Sequence, residues 1–266
     1  MFIKHSESTQ SLSILVLIAI ILAGCLYEFK ILTSRHQVSL LKRMSISVTK
    51  VKKTINEIER KTFHLFGLSV PIFYQISTLY FDMKSIDFVK FAWFCCIMTW
   101  IGDSLRIITP SVNDYFPYTL LNRVIREKEK KTLSGTSYFS LGCTLVISLF
   151  PKEIANIGIV FLVLGDMAAA LFGVSFGNDV VVVKMGRLGK KSLEGSIAMF
   201  ITCCFVGYFM LDSVILREYA IVFGAFIATI TELFEPFHLN DNITIPIFSC
   251  LALQFALSRI NACIEQ

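Results

Sequence analysis

The chain has 266 residues, of which 55% are hydrophobic and 17% are charged. Ordinary soluble domains have about 45–50% apolar and about 25% charged residues. The shift towards apolar residues argues against a soluble enzyme, a disordered chain or a coiled coil. The class that remains is a membrane protein that crosses the bilayer several times.

Eight apolar blocks follow one another along the chain, and each is a continuous apolar run. A transmembrane helix needs about 20 residues, with a range of about 17–25. Blocks at the short end of this range need their flanks, or protection by neighbouring helices. The sequence therefore predicts an all-α, polytopic transmembrane bundle of about eight helices, at residues 11–27, 65–81, 86–102, 135–150, 154–176, 193–211, 214–231 and 243–259.

The positive charges are unevenly divided between the connecting segments. If the eight helices alternate in direction, nineteen of the 25 Lys and Arg residues fall on one side of the membrane, in the segments 28–64, 103–134 and 177–192. Cytoplasmic loops are enriched in Lys and Arg, so this side is predicted to be cytosolic and both termini to lie opposite. The longer loops are also on this side, and we expect them to form the functional site.

The first candidate motif, Arg60-Lys61-Thr62-Phe63-His64, lies where the second apolar block enters the membrane. Arg60 and Lys61 could simply extend their charged ends to the lipid headgroups. Alternatively, they form a phosphate-binding pair beside His64, a side chain able to donate or accept a proton near neutral pH. This segment alone leaves both interpretations open.

The second segment runs from Asp103 and Arg106 to the small hydroxyl residues before the fourth block. Residues 126–131 alternate in charge, which is typical of a solvated helix face. Ser134 or Thr136 is placed to cap the helix that follows. A functional role for this segment stays open.

The third segment contains the one acidic residue that lies well inside an apolar block, Asp166. Gly165, Ala169, Gly173 and Gly177 repeat every four residues, so they form one helix face on which another backbone can pack closely. A carboxylate at membrane depth is costly, and by default it marks a functional site that faces the bundle interior or a wet cavity. Asp166 lies about 16 Å from Gly177 along a straight helix, so we expect either a water-filled funnel or a break at the glycines.

The polar segment that follows has the ingredients of a polyphosphate site. Glycine lets backbone N–H groups approach an anion, and the positive end of a helix dipole attracts it. The segment is not a Walker A loop, because Lys184 stands where that loop requires glycine. Asp166 and Glu194 could hold Mg²⁺, which prefers one or two carboxylates plus substrate phosphates. The alternative is a basic cytosolic loop without a ligand, whose cations reflect only the enrichment of Lys and Arg on that side of the membrane. The predicted phosphate-binding residues here are Lys184, Arg187, Lys190, Lys191, Ser192 and Gly195.

The last segment includes the one connection on the basic side without Lys or Arg, residues 232–242. Its acidic residues, among them Glu232, Glu235 and Asp241, could supply a second metal-binding or proton-transfer element. They could equally pair with the cations of the neighbouring loops. The sequence does not separate these alternatives.

Together, these segments resemble the superfamily of dolichol kinases, phytol kinases and CTP-dependent diacylglycerol kinases, to which phosphatidate cytidylyltransferases are related. The shared pattern is R-K-x-x-H, an acidic segment before S-G, G-D-x-x-A-x-x-x-G-x-x-x-G, K-x-x-E-G-S-x-A-x-F and D-N-x-x-x-P. The resemblance covers residues 57–250. The matching residues are Arg60, Lys61, His64, Glu129, Ser134, Gly135, Gly165, Asp166, Ala169, Gly173, Gly177, Lys191, Glu194, Gly195, Ser196, Ala198, Phe200, Asp241, Asn242 and Pro246.

The resemblance implies a multi-pass membrane enzyme that uses CTP and a divalent cation, Mg²⁺ or another such as Ca²⁺ or Mn²⁺, on a lipid. Asp166 and Glu194 would hold the cation, and the basic loop would neutralise developing charge. His64 or Asp241 would accept the proton of the lipid hydroxyl. Diacylglycerol is the first choice of acceptor, because the chain is shorter than typical dolichol kinases; a polyprenol such as dolichol or a phytol-like alcohol comes next.

Two rival functions fit parts of the same pattern. Cytidylyl transfer to phosphatidate would use the same site, release pyrophosphate and give CDP-diacylglycerol. A transporter would use Asp166 as a coupling carboxylate. For the kinase we expect a membrane lipid and a nucleotide as partners, no nucleic acid, and the endoplasmic reticulum as the membrane, with the active face cytosolic. The expected division of the chain is an N-terminal helix with a basic linker, 1–56, and a catalytic transmembrane domain, 57–266.

Overall fold

The computed structural model describes residues 64–109, 111, 131–176, 184–185, 191–211, 216–236 and 239–264. The predicted first helix at 11–27 and the linker up to residue 56 lie outside these ranges. Each of the other seven apolar blocks coincides with a helix. The all-α class therefore fits the described part of the chain, while the total of eight helices and the division at residue 56 stay predictions.

The helices are α1 (Ser69–Tyr80), α2 (Ser85–Ile108), α3 (Gly135–Leu149), α4 (Lys152–Val160), α5 (Asp166–Phe176), α6 (Leu193–Met210), α7 (Arg217–Phe234) and α8 (Asp241–Ile264). A 3₁₀ turn, Phe66–Leu68, leads into α1, and a π-helical segment, Phe161–Gly165, joins α4 to α5. Two short antiparallel strands, β1 (Lys184–Met185) and β2 (Lys191–Ser192), precede α6. This hairpin is an addition that the apolar pattern does not predict.

The centre of the bundle is one continuous rod made of α4, the π segment and α5. All residues from 154 to 169 are buried, and α3, α6, α7 and α8 pack around them. Within the described ranges, four helices are long and apolar enough to cross a membrane by length and composition: α2, the rod over Lys152–Gly173, α6 and α8. In contrast to the buried rod, the helices around it expose large apolar side chains, such as Phe94 and Ile97 of α2 and Ile201 and Phe205 of α6. Such a surface is typical of a protein that faces lipid.

Helices α3 and α8 cross at a point that is set by one proline and one glycine. Pro246 lies in the second turn of α8 and has no N–H, so the carbonyl oxygen of Asn242, four residues earlier, lacks its usual helical donor. Gly142 of α3 lies against this carbonyl oxygen, and a Cβ at residue 142 would collide with it. The D-N-x-x-x-P pattern therefore brings the first turn of α8 against the backbone of α3.

The first turn of α3 is held by a buried ion pair of α2. Oδ2 of Asp103 accepts hydrogen bonds from the backbone N–H of Ser134 at 2.6 Å and the hydroxyl of Ser137 at 2.8 Å. Oδ1 of Asp103 accepts one from Nε of Arg106 at 2.8 Å. Ser134 does occupy the N-cap position, but the capping oxygen is that of Asp103, which as an anion also suits the positive end of the helix.

Candidate functional site

The candidate site lies at one end of the bundle, where several helices begin. Asn242 in the first turn of α8 contacts both Gly135, the first residue of α3, and His64, which precedes α1. The N-terminus of α6 lies against α5 at the same end, through Gly195 and Ala169. Helix N-termini present backbone N–H groups and a partial positive charge, so this end of the bundle suits an anionic ligand.

Asp166 is the first residue of α5, and it directly follows the π-helical segment Phe161–Gly165. A π turn is rare and is frequently found at functional sites. Within the described residues the helix does not break at Gly165 or Gly173, and it takes up an extra residue just before the carboxylate. The side chain of Asp166 is buried, as expected for the one acidic residue within this apolar block.

His64 links Asp166 to α8. Its Nε2 lies 3.2 Å from Oδ1 of Asn242 and 3.5 Å from Oδ2 of Asp166. The amide nitrogen of Asn242 donates a hydrogen bond to the carbonyl oxygen of Gly135 at 3.0 Å, which turns Oδ1 towards His64. Because an amide oxygen can only accept, this network assigns a proton to Nε2 of His64. Residues from four separate sequence segments are thus linked in one chain of contacts that ends at Asp166.

Lys191 brings the hairpin into contact with the end of α7. Its Nζ lies 2.5 Å from Oε1 of Glu232 and 3.6 Å from Oε1 of Glu235. Glu232 is buried, whereas Lys191 and Glu235 are half-buried. Lys191, which was predicted to bind phosphate, is therefore in an ion pair with an acidic residue whose role the sequence left open.

The charge of Lys191 is stabilised by more than one carboxylate. Burial would lower the pKa of its ammonium group, but the negative charges of Glu232, Asp241 and Asp166 outweigh burial and raise the pKa above the ordinary lysine value. Lys191 therefore interacts electrostatically with three carboxylates, which belong to α5, α7 and α8. It is fully protonated at physiological pH.

Small residues let α5 and α6 approach closely beside this cluster. A Cβ at Gly195 would come within 2.6 Å of the carbonyl oxygen of Ala169, and one at Gly173 would lie 3.0 Å from Oγ of Ser192. Oγ of Ser192 in turn accepts a hydrogen bond from the N–H of Gly195 at 3.2 Å and caps α6. Gly165 also faces side chains of α6, so this part of the small-residue face packs on α6.

The remaining predicted site residues are distributed as follows. Glu194 lies half-buried in the first turn of α6, Asp241 begins α8, and the backbone of Lys184 lies in β1. Within the described ranges, no group of three or more His, Cys, Asp or Glu side chains is arranged to hold a metal ion. The catalytic and metal-binding roles of these residues stay predictions. Arg60, Lys61, Gly177, Arg187 and Lys190 lie outside the described residues.

The structure brings into the site Asn242, which the sequence gave only as part of the family pattern, and Glu232, for which pairing with a neighbouring cation was one of two predicted alternatives. Asn242 joins His64 to Gly135, and Glu232 holds Lys191. A signal was present for both: each is a polar residue at the boundary of an apolar block, on the side where the cations are concentrated. Their partners could not be inferred, because these lie 41 to 178 residues away in the chain.

Comparison with known proteins gives three informative relatives. The chain is 30% identical over 222 residues to CTP-dependent diacylglycerol kinase 1 of Saccharomyces cerevisiae, an alignment that covers 74% of this chain and 72% of that protein. It is 30% identical over 173 residues to the protein of the same name from Schizosaccharomyces pombe, covering 59% of this chain and 75% of that one. An uncharacterized protein of Rickettsia prowazekii is 28% identical over 212 residues, covering 74% of this chain and 92% of that one. No family model and no solved structure matches the chain.

Proposed function

Because the chain belongs to the family of CTP-dependent diacylglycerol kinases, we propose that it transfers the γ-phosphoryl group of CTP to the hydroxyl group of diacylglycerol. The observation that carries this proposal is the buried carboxylate of Asp166, in contact with His64 and electrostatically coupled to Lys191 at the end of the bundle where helices begin. A phosphoryl-transfer enzyme needs mainly positioning and stabilisation of negative charge, and this cluster can provide both.

The nucleotide phosphates would lie against the hairpin and the N-terminus of α6. Lys184, Arg187, Lys190 and Lys191 would supply cations from residues 184–191, and Arg60 with Lys61 would supply two more before His64. The N-terminus of α6 adds its N–H groups and its partial positive charge. The tight contact between Gly195 and Ala169 supports this arrangement, because it holds the start of α6 next to Asp166.

The residues present fit a hard divalent cation such as Mg²⁺. Asp166 is buried, and it acts on Lys191 together with Glu232 and Asp241, so three carboxylates face one lysine among the described residues of this cluster. Asp166 and Glu194 would hold the cation, since Mg²⁺ favours one or two carboxylates and substrate phosphates. When bound, the cation would neutralise phosphate charge; Ca²⁺ or Mn²⁺ would offer the same oxygen-based coordination.

In the reaction, the hydroxyl oxygen of the lipid forms a bond to the γ-phosphorus of CTP. The bond from this phosphorus to the bridging oxygen breaks, CDP leaves, and phosphatidate is the product. The hydroxyl proton passes to a base on the protein, for which His64 and Asp241 are the candidates. The contact between His64 and Asp166 supports His64, because the carboxylate would stabilise the imidazolium that forms.

Diacylglycerol is proposed as the acceptor in preference to a polyprenol such as dolichol, because two relatives bear the name of diacylglycerol kinases. The acceptor would reach the site from the bilayer, since the described helices present apolar side chains outwards. The proposal includes a cytosolic active face, which the distribution of Lys and Arg supports, and the endoplasmic reticulum as the membrane, on the resemblance alone. CTP is proposed as the phosphate donor because the names of the same relatives include it.

Two labelled nucleotides test the reaction. The purified protein is reconstituted in mixed micelles with diacylglycerol and MgCl₂, and CTP carries its label on either the α- or the γ-phosphate. Label from the γ-position should enter the lipid as phosphatidate, and excess EDTA should stop its incorporation. Lipid labelled only from the α-position, with phosphatidate as substrate, would instead identify a cytidylyltransferase.

Matched aspartate variants provide the control. Asp166→Asn should reduce phosphatidate formation to background, because it removes the charge at the centre of the cluster. Asp87→Asn makes the same chemical change at an exposed ion pair in the first turn of α2, and its activity should equal that of the wild-type protein. Full activity of Asp166→Asn would refute the proposed site. If dolichol is phosphorylated faster than diacylglycerol, the acceptor is wrong.

A further inference from the structure

The position of Glu232 is energetically unfavourable in three respects. It is only 4% exposed, and burial penalises a carboxylate unless it is paired. It lies in the last turn of α7, where the helix dipole presents a partial negative charge and favours cations. It also lies in the field of two other carboxylates, those of Asp166 and Asp241. A glutamate kept in such a place needs a strong interaction to offset these costs.

That interaction is the ion pair with Lys191, in which Nζ and Oε1 are 2.5 Å apart. A lysine side chain is long and flexible, and it loses considerable rotamer freedom when it is held in one position. The bond to Glu232 restrains it from the side of α7. An ammonium group has three N–H donors, and this bond uses one of them, so the group can bind a further anion while it remains attached to Glu232.

We propose that Glu232 is a positioning residue that holds the ammonium group of Lys191 at the end of the bundle, facing Asp166 and Asp241, so that it can bind a phosphate of the nucleotide. Glu232 itself touches no phosphate. It acts through Lys191, and it keeps the hairpin attached to α7 at the place where β2 continues directly into α6. This role rests on the proposed function, because the phosphate is that of the nucleotide substrate.

The neighbouring Glu235 provides a matched control. Its Oε1 lies 3.6 Å from the same Nζ, beyond hydrogen-bond distance, and its side chain is 43% exposed. Exposed ion pairs contribute little. The two glutamates are three residues apart, so Glu232→Gln and Glu235→Gln make the same chemical change at the same lysine. Only the first should release Lys191.

The first experiment measures Lys191 directly and does not depend on catalysis. The full-length protein in detergent is treated with an amine-acylating reagent, and modification of Lys191 is followed by peptide mass spectrometry. The acylation rate should rise at least about threefold in Glu232→Gln, because an ammonium engaged in an ion pair is protected, and it should stay at the wild-type rate in Glu235→Gln. Equal rates in Glu232→Gln and the wild type would overturn the proposal.

The second experiment separates positioning from folding by steady-state kinetics. Partial unfolding lowers the apparent kcat and leaves KM unchanged, whereas a misplaced phosphate ligand raises KM for CTP. For Glu232→Gln we expect KM for CTP to rise at least about tenfold, as small displacements of positioning groups carry large penalties, with KM for the lipid unchanged. Glu235→Gln should change neither by more than about twofold.

The outcomes distinguish this role from the proposed function. Faster acylation together with a raised KM for CTP supports the role of Glu232, and faster acylation with unchanged kinetics overturns it. If the wild-type protein transfers phosphate from CTP to no lipid, the proposed function fails, while the acylation rates still decide whether Glu232 holds Lys191. The exchange Lys191→Glu with Glu232→Lys should restore the ion pair and the unfolding temperature but not the activity; restored activity would refute the role of Lys191 as the phosphate ligand.

Discussion

Gly195 of α6 packs so closely on Ala169 of α5 that a Cβ at position 195 would lie 2.6 Å from the carbonyl oxygen of Ala169. The contact atom belongs to the backbone of a buried helix and cannot turn away. Its position is therefore set by the rod itself, and Asp166, three residues before Ala169, lies on the same part of that rod. The spacing of α5 and α6 thus decides how far the start of α6 lies from the central carboxylate.

Gly195→Ala should therefore cause a large loss of activity and only a moderate loss of stability. The added methyl forces α6 away from α5, and overpacking of this kind costs about 1–3 kcal/mol. A displacement of under 1 Å at the start of α6 would move the predicted phosphate site relative to Asp166, for which we expect at least a tenfold loss of kcat/KM, of the order that misplaced groups show. Kinetics and thermal unfolding of the purified variant measure both effects.

Gly207→Ala is the matched control on the same helix. Its Cβ would meet a methyl group of Ile221 at 2.8 Å, so this variant is also overpacked, but at the opposite end of α6 and against a side chain. Its unfolding temperature should fall, and the activity per folded molecule should remain at the wild-type level. Equal activity losses in the two variants would show that general packing explains the effect at Gly195.

The extent of the bundle could be predicted from the sequence because long apolar runs leave the chain few alternatives. The blocks at 135–150 and 193–211 differ from α3 and α6 by a single residue at their C-terminal ends. The small-residue helix face next to Asp166 could also be predicted, since a four-residue spacing places residues on one face of a helix. These are local properties, and local patterns are visible in one sequence.

The π segment and the polar contacts could not be predicted in this way. Nothing in Phe161-Leu162-Val163-Leu164-Gly165 distinguishes an α-helix from a π-helix, because both are compatible with apolar residues. The contact of His64 with Asn242 spans 178 residues, and it depends on how α1 and α8 pack. Charge patterns could assign Lys191 and Glu232 to the same side of the membrane, but not to one ion pair.

Asp103→Asn should destabilise the protein severely. The carboxylate of Asp103 accepts from the backbone of Ser134 and the hydroxyl of Ser137, and it pairs with Arg106, which is only 2% exposed. Removing one partner of a buried ion pair costs about 3–5 kcal/mol. The NH₂ group of the new asparagine is itself a donor, so it cannot accept the hydrogen bonds that Ser134, Ser137 and Arg106 donate to the carboxylate. The unfolding temperature in detergent, followed by circular dichroism, should fall clearly.

A second aspartate on α2 serves as the control for this prediction. Asp87 pairs with Lys90 at 2.9 Å with the same three-residue spacing, but both side chains are at least half exposed. Exposed pairs contribute about 0–1 kcal/mol, so Asp87→Asn should leave the unfolding temperature nearly unchanged. If both variants unfold at the same temperature, the ion pair of Asp103 does not stabilise α3.

Asn242→Ala should lower kcat as well as stability. The substitution removes the acceptor for Nε2 of His64 and the donor for the carbonyl oxygen of Gly135, and a lost buried hydrogen bond costs about 1–3 kcal/mol. His64 would lose the partner that fixes its orientation beside Asp166. We expect kcat to decrease by at least about tenfold, as for other orienting groups.

Asn156→Ala is the comparison for Asn242→Ala. Asn156 is equally buried and donates to Oε1 of Gln75 at 3.2 Å, but it lies ten residues before Asp166, about 15 Å along the rod. Its loss should lower the unfolding temperature by a similar amount without lowering kcat. A loss of kcat in both variants would indicate that polar contacts throughout the bundle, and not the orientation of His64, control activity.

The ion pair of Lys191 should be insensitive to pH from neutrality up to the alkaline range. Neighbouring carboxylates raise the pKa of Lys191 in the folded protein, whereas in the unfolded chain the pKa is near the ordinary value of about 10.4. The resulting stabilisation is complete below the unfolded pKa and is lost as the pH rises through the folded pKa.

The difference in unfolding temperature between the wild type and Lys191→Met should therefore be constant between neutral pH and about pH 9, and should shrink only above the ordinary lysine pKa. Lys90→Met, which removes an exposed pair, should show no comparable difference; a decline that begins near neutral pH would mean that Lys191 is not held by these carboxylates.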